Sequence, residues 1–593
     1  MPTPIADYAF IGDRRTGALI SPEGSIDWLC LPDFDSTACF ASVLGTPDHG
    51  RWVLSPVEEA TTTRRYVGGS LVLETVHETA SGAVRICDVM PEETGRADVL
   101  RRIEGVRGRV TLRHDWQIRP GYGLQCPLVV QEGQTLVAVA GPDRFTLRGP
   151  HLPPVRRGRV EETRFEVGEG EVIDLHMTWQ WSHREPCDAV DVSRAVEASV
   201  EGDEQWLAEV TYEGPYEEEV RRSLLVLRHL THADTGGIVA APTTSLPEEI
   251  GGSRNWDYRY VWLRDSALTL EALVRAGYTS KVAAWRDWLV RAIAGDPSDM
   301  QIMYRVDAGR ELPERELEHL PGYADSRPVR VGNGAVDQLQ TDVLGEVMLA
   351  LAQARAAGNP ETDLSGALQV ALVDHLADHW EQPDNGIWEI RGPLRHFTHS
   401  RAMVWAAMDI AIRGVEDGEL PEGGDLQRWR RVREEVRAEI DRRGVGEKRG
   451  SFVQHYDTDE VDASLLLMPH LGFCTADDPR YVATVAAVEE DLLVDGLVLR
   501  YRTTSGVDGL DGDEHPFVLC TFWLVQAYAW MGRHDDARRL MEKVLGLAGP
   551  LGLYAEELDA SGEMLGNFPQ AFSHLGLVMA AYELADPRPR GAE

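Results

Sequence analysis

Two short loops hold the residues best suited to chemistry. At 386–400 the chain reads GIWEIRGPLRHFTHS, with Glu389 between Trp388 and Ile390. At 553–559 it reads LYAEELD, with Glu556 and Glu557 behind an apolar and aromatic run. A carboxyl group in apolar surroundings resists ionisation and can deliver a proton near neutrality. A second carboxylate across a site can take a proton from water. Together they meet the requirement of inverting glycoside hydrolysis. Composition also accommodates a plainer account, because two loop acids among 97 Asp and Glu carry little signal by themselves.

WLRD at 262–265 is the next candidate. The Arg264 guanidinium donates in a planar fork and the Asp265 carboxylate accepts from hydroxyls, so the pair suits vicinal hydroxyls of a sugar. Asp265 equally suits a helix N-cap with Arg264 as its ion partner. Trp256, Trp262 and Trp388 offer flat faces for a pyranose ring, or fill a core. His396 and His399 in HFTHS are two metal-type ligands three apart. No third ligand has matching spacing and no HExxH occurs, so hydrogen bonding is expected there and no metal.

Each cluster stands just before a helix, and this sets what must position it. NWDYRYVWLRD leads into SALTLEALVRAG, RPVRVGNGAV into DQLQTDVLGEVMLALAQARAAG, and GNFPQ into AFSHLGLVMAAYELA. Pro569 fits a helix only in its first turn, so that helix starts near it. Such loops, rich in carboxylate, Trp and Arg, imply one site at one end of a helical barrel. From residue 218 the apolar period is 3.6. Twelve helical segments are expected, beginning near Glu218, Leu263, Thr279, Asp337, Leu364, His399, Gln427, Val461, Pro479, Pro516, His534 and Asn567. Their character alternates. QRWRRVREEVRAEIDRR has a wide charged face and PFVLCTFWLVQAYAWMG is apolar almost all round. This predicts hairpins in two concentric rings, an (α/α)6 barrel over 218–593. Residues 1–181 instead show short strands such as SIDWLCL, AVRICDV and VIDLHMTWQW between Gly, Pro and Asp turns, with no room for repeated crossovers. They predict an antiparallel β-sandwich. Residues 182–217 are expected to form an acidic, partly helical linker.

A chain of 593 residues with net charge −38 and 26% charged residues is too long for one ordinary core. Its acidity argues against nucleic acid and anionic membranes, and is compatible with a small neutral substrate. Seven cysteines at no metal spacing read as reduced core residues. The N-terminal MPTPIADYAFIGDRR lacks a basic start and an apolar run, so a cytoplasmic location is expected. The apolar stretch at 517–532 is too short to span a bilayer. A homo-oligomer stays open.

Taken together, IADYAFIGDRRTGALISPEGSIDWLCLPDFDS, APTTSLPEEIGGSRNWDYRYVWLRDSAL, SRPVRVGNGAVDQLQTDVLGE, GIWEIRGPLRHFTHSRAMVW, LRYRTTSGVDGLDGDEHPFVLCTFWL and GLYAEELDASGEMLGNFPQAFSH resemble the family 15 glycoside hydrolases, the glucoamylase and trehalase family. The resemblance covers nearly the whole chain. It implies an N-terminal β-sandwich, a linker and an (α/α)6 barrel. By motif it implies Glu389 as general acid, Glu556 as general base, Arg264 and Asp265 on the non-reducing glucose, Trp388 beside the acid and Arg500 as a sugar-contacting Arg. Two departures stand out: AEE where many members have SEE or SEQ, and EHP at 514–516. The activity implied is an inverting, exo-acting α-glucosidase without metal or organic cofactor. Trehalose is favoured: the N-terminus shows no export signal, only DPRPRGAE follows the last helix, so no starch-binding module is expected, and the arrangement resembles the compact bacterial members that include trehalases. Glucoamylase or glucodextranase action on α-1,4 or α-1,6 links is the alternative. A disaccharide phosphorylase would need phosphate in place of Glu556, and a non-catalytic sugar binder would need neither acid.

Overall fold

A computed structural model describes residues 2–586 apart from 94, 157–158, 280–281, 504–505, 510–511 and 513. The N-terminal part is one antiparallel network of 14 strands folded into two layers. A single long strand, Ala97–Gln117, belongs to both. Its first half pairs with Gly82–Val89 and Val172–Trp181, its second half with Arg51–Pro56 and Thr163–Gly168. The switch falls where the strand is exposed, at 106–109. A Cβ on Gly105 would lie 1.9 Å from the Gly168 carbonyl, and Gly108 has φ +63°. Glycine is therefore required at this corner.

The last strand of the network ends at Trp181. Helix α1 (Val192–Leu207) then packs on the long strand and on α2 (Glu217–His229). The remaining helices are α3 (Leu263–Arg275), α4 (Val282–Ile293), α5 (Asp342–Ala356), α6 (Asp363–His379), α7 (Thr398–Glu416), α8 (Leu426–Arg443), α9 (Pro479–Asp491), α10 (Val518–Trp530), α11 (His534–Leu545) and α12 (Ala571–Ala585). The inner ring runs α3, α5, α7, a short 3-10 segment at Ala463–Leu467, α10 and α12, which packs back on α3. Helices α2, α4, α6, α8, α9 and α11 lie outside it.

The pattern of residues explains these places. Helix α8 buries only Trp429, Val432, Val436 and Ile440, one stripe at helical spacing. All of α10 is buried. The segment expected as a helix from Val461 differs: it is five residues of 3-10 helix. Pro469 would fall inside an α-helix there, lacking its N–H and crowding the carbonyl four residues back. Asp462 caps the short segment by accepting from the Ser464 N–H at 2.8 Å.

One apolar core runs through sandwich and barrel. Trp28 is fully buried, and its indole N–H donates to the Pro242 carbonyl at 2.8 Å. Arg259, inside NWDYRYVWLRD, donates to the Ser36 carbonyl at 2.7 Å and is paired with Asp257. The loop after SIDWLC is thus held by the segment that leads into α3. Asp27 does not join this seam; it accepts from Tyr8, Ser25 and Ser42.

Candidate active site

The loops before the inner helices surround a cavity that opens to solvent. Glu389, Glu556, Arg264, Asp265, Trp256, Trp388 and Arg500 all line it. Residues more than a hundred positions apart in the chain meet because each loop ends at the same rim of the inner ring.

Glu389 sits on a tight turn between α6 and α7. Its backbone has φ +57°, a left-handed conformation rare for a side-chain-bearing residue. The turn is tied by the Glu389 N–H to Gly386 O at 3.2 Å, by Asn385 Nδ2 to Ile390 O at 2.8 Å and by Gln338 Nε2 to Glu389 O at 3.0 Å. The side chain is 20% exposed. Its Oε1 accepts from Trp262 Nε1 at 2.6 Å and from Arg264 Nη2 at 3.3 Å. Trp262 therefore acts through its N–H, where the sequence suggested its flat face.

Glu556 precedes a two-residue strand, Glu557–Leu558, paired with Met564–Leu565. Alternation along this extended chain sends the two acids apart. Glu556 enters the cavity, and Glu557 turns to Arg500. Tyr258 Oη donates to Glu556 Oε1 at 2.6 Å, while Oε2 has no partner among the described residues. Burial, then the negative charge of Glu248, push the Glu556 carboxyl up to about 8.

The cavity floor is Arg264 and Asp265, both almost fully buried. Arg264 Nε donates to Asp265 Oδ1 at 3.0 Å, and Nη1 donates to the Ile387 carbonyl. Burial raises the Asp265 carboxyl to about 6, against the pull of Arg264. Phe572, in the first turn of α12, lies under the Arg264 guanidinium at 5.1 Å. Trp388 anchors its indole N–H on Asp462 at 2.9 Å. Trp256 carries the guanidinium groups of Arg391 and Arg330 at 4.1 and 4.6 Å from its ring centre, so its ring is already partly covered by cations.

Arg500 lines the wall within a buried ion network. Its Nη2 is shared by Glu514 at 2.9 Å and by Glu248 and Glu557 at 3.2 Å each. Arg254 joins the network through Glu514 and Asp508 at 2.9 and 2.6 Å. The Glu of EHP is thus a structural hub of this wall. His396 and His399 stay outside the cavity. His396 faces Arg401, and His399 is buried and held neutral, its ring pushed down to about 3. No cluster of metal-ligating side chains occurs among the described residues.

Sequence reading missed Tyr258, Glu248, Arg254 and Asp508, and met Glu514 only as part of the EHP departure. A signal for Tyr258 was there: Trp256, Tyr258 and Trp262 share the parity of an extended segment, which puts alternate residues on one face.

Comparison with known proteins gives the same architecture. The family model described as glycosyl hydrolases family 15 matches residues 214–582, and the one described as trehalase-like, N-terminal matches residues 1–154. The trehalase of Mycolicibacterium smegmatis is 37% identical, the match covering 97% of this chain and 90% of that one. The trehalase of Thermoplasma volcanium is 35% identical, over 98% of this chain and 93% of that one. A bacterial glucoamylase solved with acarbose superposes with a TM-score of 0.69 at 13% identity, over 99% of this chain and 96% of that one, a likeness of fold. A sandwich, an (α/α)6 barrel and an acid-lined cavity at the barrel mouth, matched across nearly the full length, make this chain a glycoside hydrolase belonging to glycosyl hydrolases family 15.

Proposed function

We propose that the chain is an inverting, exo-acting α-glucosidase that hydrolyses trehalose to two molecules of glucose in the cytoplasm. One observation carries the chemistry: two carboxyls in different hydrogen-bonding situations line one cavity whose floor is an Arg–Asp pair. Glu389 is the general acid. Its Oε1 is occupied by Trp262 and Arg264, so the proton rides on Oε2 and passes to the glycosidic oxygen. Glu556 is the general base. Tyr258 fixes Oε1 and leaves Oε2 to take a proton from water. Water attacks C1 as the C1–O bond to the leaving sugar breaks, and β-glucose results. Arg264 and Asp265 grip the hydroxyls of the glucose being released, with Trp388, Trp256 and Arg500 along its walls. No step calls on a metal or an organic cofactor.

The preference for trehalose rests on relatives named trehalases that match nearly end to end, sandwich included. Purified enzyme should release glucose from trehalose faster than from maltose, isomaltose or dextran. Proton NMR of the first turnovers on trehalose should show α- and β-glucose appearing in equal amounts, the β-anomer from the attacked ring and the α-anomer from the leaving sugar. Initial formation of α-glucose alone would refute inversion. Turnover of maltose or isomaltose without trehalose would refute the substrate and leave the mechanism standing.

A further inference from the structure

Glu248, in the loop SLPEE between α2 and α3, has no part in the reaction as derived so far. It lines the cavity and is 2% exposed. Its Oε2 accepts from Arg500 at 3.2 Å, and its Oε1 has no partner among the described residues. Leaving a buried carboxylate oxygen unpaired is costly.

Its position relative to Glu556 is built in. The Gly566 N–H donates to the Pro247 carbonyl at 2.7 Å, which ties the residue before Glu248 to the wall behind Glu556. On that wall a Cβ at Gly566 would meet the Glu556 Cβ and Oε2 at 2.7 Å. Thr243 and Asn567 bond at 2.9 Å, and Asn567 also holds the Trp256 carbonyl at 2.9 Å. After burial, Glu248 is the strongest influence on the Glu556 carboxyl, ahead of Glu389. The cavity therefore holds two neighbouring acids, each with one oxygen fixed by the protein and one oxygen free.

We propose that Glu248 is a positioning residue for the attacking water, accepting one of its protons at Oε1 while Glu556 Oε2 accepts the other. This deepens the hydrolytic reading and rests on Glu556 being the base. A water that donates to two wall carboxylates turns a lone pair into the cavity. At attack, its oxygen bonds to C1 and the proton on the Glu556 side moves to Glu556. The C1–O bond to the leaving sugar breaks, and Glu389 protonates that oxygen. The proton held by Glu248 stays on the new β-hydroxyl, so Glu248 neither gains nor loses one.

α-Glucosyl fluoride separates this role from a contact to the leaving sugar, because it has no leaving sugar and little need of an acid. Glu248→Ala should lose about 100-fold in kcat on α-glucosyl fluoride as well as on trehalose, with KM little changed. Turnover of the fluoride within a few-fold of the parent would overturn the proposal, even with trehalose hydrolysis impaired. Glu556→Gln measured on the same substrate tests the underlying reading separately. If that variant stays active, the base assignment fails, whatever Glu248 does.

Should Glu248→Ala fail to fold, Glu248→Gln decides. Its amide oxygen still accepts from water, so the kcat loss should shrink to about tenfold. The charged and titratable groups that act on Glu556 are Glu248, Arg500, Tyr258 and Glu389. Removing the charge of Glu248 lowers the Glu556 pKa, so the acid limb of the kcat/KM profile should move to lower pH. A limb unmoved in Glu248→Gln would overturn the proposal.

Discussion

At the scale of single residues, the site is a set of carboxyls separated by what touches them. As the proposed base, Glu556 would act in its ionised form, so activity should fall as pH drops through its pKa. Burial raises that pKa, and the acid limb of kcat/KM should lie above the ordinary carboxylate range. The Tyr258 hydrogen bond works the other way, favouring the carboxylate. Tyr258→Phe should therefore shift the limb to higher pH, a change that pH–rate profiles would register. Glu389→Gln should cost about 10²–10⁴-fold in turnover of trehalose and much less of α-glucosyl fluoride, with the melting temperature kept. Arg264 needs a gentler probe than alanine. Its removal strands a buried Asp265 and takes a donor from Glu389, so stability and activity would fall together. Asp265→Asn keeps the shape and should lower kcat/KM with little change in melting temperature.

At the scale of elements, short connectors hold the catalytic geometry. Asp462 caps the 3-10 segment of the inner ring and also receives the Trp388 indole N–H. Asp462→Ala should loosen both, costing about 1–2 kcal/mol by denaturant titration and weakening trehalose turnover. A change in stability alone would show that Trp388 does not need this anchor. The helices were legible in the sequence because apolar stripes and loop punctuation are local signals. The 3-10 segment was not, since its apolar run continues through Pro469 and only the proline marks the break. That the motif acids Glu389 and Glu556 share one cavity was legible too. The ion network was not: Arg500, Glu248, Glu514 and Glu557 are brought together by ring closure, and nothing in their spacing announces it. Trp262 shows a further limit, for an indole named from sequence does not say whether its face or its N–H will be used.

At the scale of the whole molecule, sandwich and barrel share one core and a polar seam. Arg259 is fully buried, with its charge balanced by Asp257 and its donors spent on Ser36 and Cys30 of the sandwich. Arg259→Ala should destabilise the protein by about 3–5 kcal/mol, because the Asp257 carboxylate would stay buried without its partner. Chemical denaturation should then remain a single transition shared by both parts. A variant as stable as the parent would show the seam to be dispensable.

That seam also bears on inheritance. The same eleven-residue stretch, NWDYRYVWLRD, supplies Trp256, Tyr258, Trp262, Arg264 and Asp265 to the cavity and Arg259 to the sandwich. In the non-helical part of the stretch, before α3 begins at Leu263, neighbouring residues thus answer to different partners. A chimera that joins the sandwich of one relative to the barrel of another inherits a mismatch at the back of its own active site. Exchange of parts within this lineage is then constrained to move the loop after SIDWLC and the NWDYRYVWLRD segment as a matched set.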